Sequence, residues 1–84
     1  MGEEGDWLVI AGLWDLGKIH KSCGNLPDAE NFLAEACNLL DTCTDRKWAN
    51  SVVLGIYIDR SEVFIQRGFL GTAEKMLTLI LEHE

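Results

Sequence analysis

Two histidines and three cysteines carry the most versatile side chains in this sequence. His20 and Cys23 stand three apart, one helical turn, and Cys37 and Cys43 follow downstream; imidazole and thiolate are zinc ligands by type. The spacing argues against a metal, because there is no CxxC pair and a buried cysteine serves equally as a small apolar residue. An acid–base or nucleophilic mechanism needs converging carboxylates, a nucleophile with its base, or a glycine-rich phosphate cradle. None of these constellations is written here. The sequence therefore reads as a non-enzyme, with no catalytic, cofactor-binding or metal-binding residue to name.

Two further chemistries fail on their motifs. A calcium loop needs an Asp-x-Asp-x-Asp-Gly run, which is absent. Acyl carrier proteins are also small, acidic and four-helical, but they carry their prosthetic group on the Ser of an Asp-Ser-Leu triplet, and this chain has no such triplet.

Composition narrows the remaining classes. The 84 residues are 48% hydrophobic and 25% charged, the balance of a single globular domain. A chain this short buries only about 60% of the surface its unfolded form exposes, so the core is thin. The formal charge is −7, with seven scattered Lys and Arg, which argues against nucleic acid and leaves a basic or apolar partner. Three cysteines cannot all pair, and the start is acidic where a signal peptide is basic, so a reducing, cytoplasmic setting is expected. Asp15, Asp59 and Arg60 interrupt the longest apolar runs, so no membrane span is expected. The N-terminus also fails the myristoylation pattern, with Asp6 where Ser or Thr belongs.

The elements that must position these residues are four helices. Residues 1–5 read as a flexible N-terminus, and Asp6 caps a first helix that ends near Ser22, before Gly24 supplies a left-handed stop. Pro27 opens the second helix, in which Ala29, Phe32, Leu33, Ala36, Cys37 and Leu40 recur at helical spacing. Asp28, Glu30, Asn31, Glu35, Asn38 and Asp41 are left for water. Thr44 or Asp45 caps a third helix running to about Arg67, nearly apolar all round from Val52 to Ile58 and so expected to be touched on two sides. Gly68 to Gly71 makes the next turn, Thr72 helps cap, and a fourth helix runs from about Leu70 to Leu81. In it Ala73, Met76, Leu77 and Ile80 form one face, while Leu79 and Leu81 spill onto another.

One hairpin is written twice. Gly17, Gly24, Ala29 and Ala36 recur forty-four residues later as Ser61, Gly68, Ala73 and Ile80. With Leu16, His20, Leu26 and Leu33 in the first copy, and Tyr57, Phe64, Leu70 and Leu77 in the second, the pattern resembles the tetratricopeptide repeat family. Its likeness is to members with helices longer than the usual 34-residue repeat. Arg60 departs from the usual Leu and Ile80 from the usual Ala. The resemblance implies an all-α fold of two antiparallel hairpins, repeat one over 6–41 and repeat two over 45–84, stacked as a short right-handed superhelix. It implies that Gly17 and Ser61 sit where paired helices cross, facing Ala29 and Ala73.

It also implies a protein-interaction scaffold whose inner groove is lined by helices one and three. The lining is Ala11, Trp14, Lys18 and Lys21, then Gly55, Ile58, Glu62 and Ile65. Trp14, Ile58 and Glu62 stand where chaperone-tail binders carry Lys and Asn, so the expected ligand is an apolar peptide or an amphipathic helix of a partner protein, anchored by Trp14 and Ile58. Ile58 also fits buried core. The alternative is structural: two repeats without a polar capping helix are marginal. The chain is then a homodimer held through Met76, Leu79 and Leu81 of helix four, or a piece of a longer array.

Overall fold

The computed structural model describes residues 3–82, and these form four helices: α1 (Glu3–Ser22), α2 (Leu26–Leu40), α3 (Arg46–Gln66) and α4 (Leu70–Glu82). The fold is all-α, with α1 and α2 forming one hairpin and α3 and α4 the other. Met1, Gly2, His83 and Glu84 lie outside the described residues. One expected boundary moves: α1 is already helical at Glu3, so Asp6 lies within it and is not its cap. Carboxylate residues such as Glu3, Glu4 and Asp6 suit a helix N-terminus, so the first turn can form that early. Thr72 likewise lies inside α4, which has begun at Leu70.

The repeat is visible in the backbone. Gly24 and Gly68 have φ of 83° and 84°, the left-handed conformation that ends a helix. At the first turn Gly24 N donates to the Lys21 carbonyl at 3.1 Å and Asn25 N to the His20 carbonyl at 2.9 Å. At the second, Gly68 N donates to the Ile65 carbonyl at 3.0 Å and Phe69 N to the Phe64 carbonyl at 2.8 Å. These are the paired bonds of a Schellman stop, repeated residue for residue at the forty-four-residue offset. In the second copy Phe69 also packs on Phe64, ring centroids 6.5 Å apart, which is the apolar contact that accompanies such a stop.

The starts are specified locally too. Pro27 sits in the first turn of α2, where its missing N–H costs nothing. Asp45 caps α3, its side chain accepting from the Trp48 amide at 3.0 Å. Arg46 then donates to the Leu40 carbonyl at 2.6 Å and to the Cys43 carbonyl at 3.2 Å, satisfying backbone acceptors left over where α2 ends.

The core lies in two clusters. One joins Ile10, Ala36, Leu40, Ala49 and Ile56, with Cys43 closing it; the other joins Ala29, Leu33 and Val63. Both are built around α2, which packs against α1 on one side and α3 on the other. Gly17 permits the tight crossing within the first hairpin: a Cβ there would sit 2.6 Å from Leu33 Cγ and Cδ2 and 3.4 Å from the Ala29 carbonyl oxygen. Ser61 and Ala73, the second copy's counterparts, are both buried, and Ser61 Oγ donates to the Ile58 carbonyl at 2.8 Å.

Three sequence expectations are corrected here. Glu30 is half-buried because it pairs with Arg67, the residue that follows α3. Leu77 does not share the burial of Ala73; it is 43% exposed, because among the described helices α4 packs on α3 alone. Ile58 is not core: it is 44% exposed.

Candidate functional site

The face shared by α1 and α3 is assembled around one tryptophan. The benzo edge of Trp14 packs against Gly55 of α3, so close that a Cβ at Gly55 would meet Cη2 and Cζ2 at 2.7 Å. A half-buried indole N–H needs an acceptor. Asp59 supplies it, one turn along α3, with Trp14 Nε1 donating to Asp59 Oδ2 at 2.6 Å. The other oxygen of the same carboxylate accepts from Lys21 Nζ at 2.9 Å, and Lys21 donates as well to Glu62. Lys18 Nζ stands 4.7 Å from the centre of the Trp14 ring and 3.5 Å from Asp15, a cation over an aromatic face.

Lys21 and Asp59 are only 16% and 15% exposed, so the pair is screened less by solvent than a surface ion pair, at the cost of desolvating both charges. Burial pulls the Lys21 ammonium down, but the hydrogen bonds and charges of Asp59 and Glu62 outweigh it, and its pKa stands above the ordinary 10.5. A raised lysine pKa means stability that is fully present below that ordinary value and is lost as pH rises beyond it. The bracing between α1 and α3 is therefore intact throughout the neutral range.

The groove residues expected from sequence thus divide. Trp14 and Lys21 are structural, committed to Gly55, Asp59 and Glu62. Lys18 and Glu62 are exposed at their flanks. Ile58 and Ile65 remain as free apolar side chains, seven residues apart on α3 with Glu62 between them, and Ile65 is 48% exposed. The residue not anticipated here is Asp59. A lone carboxylate following the apolar stretch Val52–Ile58, in a helix expected to be touched on two sides, was the available signal, because a group in such a place needs a partner.

The residues with nucleophilic or metal-binding chemistry are placed apart. His20 stacks on Phe32 at 5.1 Å between centroids, and its Nδ1 is 3.4 Å from Asn25 Nδ2. Cys23 is exposed and Cys43 buried. Burial pushes the Cys37 thiol up, against the opposing hydrogen bond and charge of Arg60, so it stays protonated at neutral pH and is a poor nucleophile. Among the described residues no three His, Cys, Asp or Glu side chains are grouped to hold a metal ion. No described helix is long and apolar enough to cross a membrane.

On α4, the expected self-association residues are likewise divided. Met76 is half-buried, while Leu79 and Leu81 are exposed. Leu79 borders a shallow apolar depression with Gly71, Lys75 and Thr78. No family model matches this chain, and neither does any curated protein or solved structure.

Proposed function

We propose that the chain is a protein-interaction module of the tetratricopeptide-repeat kind, which holds an amphipathic helix or apolar peptide of a partner protein along the α1–α3 face and catalyses nothing. The observation that carries this reading is the pairing of a braced wall with free apolar anchors. Trp14, Asp59 and Lys21 fix α1 to α3, while Ile58 and Ile65 project uncommitted beside them. A site already held in its binding geometry pays little ordering entropy when a ligand arrives. Ile58 and Ile65 lie about 10 Å apart along the helix axis, at a rise of about 1.5 Å per residue, a separation that two anchor side chains two turns apart on a partner helix match. The chain's charge of −7 favours a partner whose flanking residues are basic.

The test is selection of binders from a library of helical peptides, followed by titration calorimetry on the peptides recovered. Ile58→Glu and Ile65→Glu should each weaken binding at least about 10-fold, or about 1.4 kcal/mol. Leu8→Glu, on another face of α1, should leave it unchanged. Equal affinity for wild type and both isoleucine variants would remove this face from the reading.

A further inference from the structure

The two ends of the molecule are complementary to each other, and the chain itself contains the template for how they meet. Inside the molecule α2 packs on α3. Moving forward by one repeat carries the α2 surface onto α4; moving back by one repeat carries the α3 surface onto α1. Both displaced surfaces are apolar and open, with Leu16, Ile19, Leu77 and Leu81 exposed and Ile80 half-buried.

Pair by pair the match holds. Leu33 of α2 and Val63 of α3 share a buried cluster and are both 0% exposed. Their equivalents are Leu77 of α4 and Ile19 of α1, 43% and 57% exposed. Cys37 faces Arg60 across the internal joint, close enough for the guanidinium to act on its thiol. Their equivalents are Leu81 and Leu16, two exposed leucines, so a polar pair is replaced by an apolar one on both sides at once. Ala36 and Ile56 share the other buried cluster, a small residue on α2 and a large one on α3. Their equivalents are Ile80 and Gly12: the sizes are exchanged, and nothing lies within 4 Å of where a Cβ on Gly12 would stand. The extra volume of Ile80 has its matching space on the other surface. Two members are lost: the Glu30–Arg67 ion pair becomes Glu74 and Cys23, and Leu40–Ala49, at the far end of the joint, becomes Glu84 and Gly5.

We infer that copies of this chain stack head to tail, the Leu77, Ile80 and Leu81 face of α4 seating on the Gly12, Leu16 and Ile19 face of the next copy's α1, as α2 seats on α3 within one chain. The occupant of each end is a second copy. The contact is heterologous, so it propagates along a row of chains and does not close as an α4-to-α4 pair. It is independent of the groove, which lies on the face that α1 shares with α3. It also revises the expected self-association residues: Leu81 belongs to the joint, Leu77 and Ile80 join it, and Leu79 and Met76 do not.

The test is mass measurement by light scattering over a concentration series, with helicity checked by circular dichroism. The wild type should exceed one chain mass and grow with concentration. Ile19→Glu and Leu81→Glu, both at exposed positions, should each fold and each fall to the monomer mass. Mixed in equal amounts, these two variants should form a dimer and stop there, since each keeps one intact end. Leu16→Glu should behave as Ile19→Glu and replaces it if that variant loses helicity. A wild type that stays monomeric at its highest soluble concentration would overturn the inference. So would a dimer that Leu81→Glu abolishes and the α1 variants leave intact, which is the signature of symmetric α4 pairing.

Discussion

The second helices of the two hairpins, α2 and α4, have similar sequence patterns and opposite fates. Ala29, Leu33, Ala36 and Leu40 of α2 are buried, whereas Ala73 is the only residue of α4 that reaches that state. Both helices begin after the same glycine stop with matching backbone hydrogen bonds, and both carry a small residue at the hairpin crossing. They differ in their neighbours: α2 packs between α1 and α3, and α4 packs on α3 alone. An amphipathic pattern states which residues can be buried. The number of helices stacked against it states how many are, and here the shortfall is a stripe of leucine and isoleucine at each end of the molecule.

This contrast can be broken most directly at the equivalent pair Leu33 and Leu77. Leu33→Ala leaves a cavity in a fully enclosed cluster and should cost about 2–5 kcal/mol in urea denaturation, whereas Leu77→Ala at low protein concentration should cost less than about 1 kcal/mol. Equal losses would mean that α4 is as well covered as α2.

The turns should show the opposite behaviour, because their cost is local and takes no account of neighbours. Gly24→Ala and Gly68→Ala both force a Cβ into the left-handed region and should each destabilise by about 1–2 kcal/mol in the same assay. A clear inequality between them would mean that one stop is held by its surroundings and not by its own backbone. In the second stop the Phe64–Phe69 contact offers such a surrounding.

The smallest expected effect concerns the bracing of α1 to α3. Lys21 has a raised pKa, so its contribution is lost as pH climbs above the ordinary 10.5. Between neutral pH and that range the wild type should lose more stability than Lys21→Met, whose stability lacks this term at every pH. Parallel curves for the two proteins would show that the ammonium does not link the helices energetically.

The helices, their stops and the doubled hairpin were legible in the sequence because each rests on short-range chemistry. Pro27 in a first turn, Asp45 as a cap, and Gly24 and Gly68 at positive φ act through neighbours within a few residues, and the forty-four-residue repeat preserves their spacing. The start of α1 was misplaced by three residues because Asp6 is a good cap by type and the acidic residues before it are equally good first-turn residues. At the candidate site, the sequence put Trp14 and Lys21 on one face of α1 and did not show the partners they meet on α3. Nothing local says that an indole on α1 will pack against a glycine of α3, or that Asp59 will accept from two residues more than thirty-five positions away.

The sequence by itself determined that there are four helices, where they stop, and that one hairpin is written twice, because propensity, capping and periodicity are properties of contiguous residues. Only the tertiary structure decided that Trp14 is a wall while Ile58 and Ile65 are free. It alone decided that Glu30 finds Arg67, and that α4 packs on α3 alone and leaves Leu77, Leu79 and Leu81 exposed. Those outcomes depend on which surfaces of distant helices come together, and burial is a property of the pair, not of either strip of residues alone.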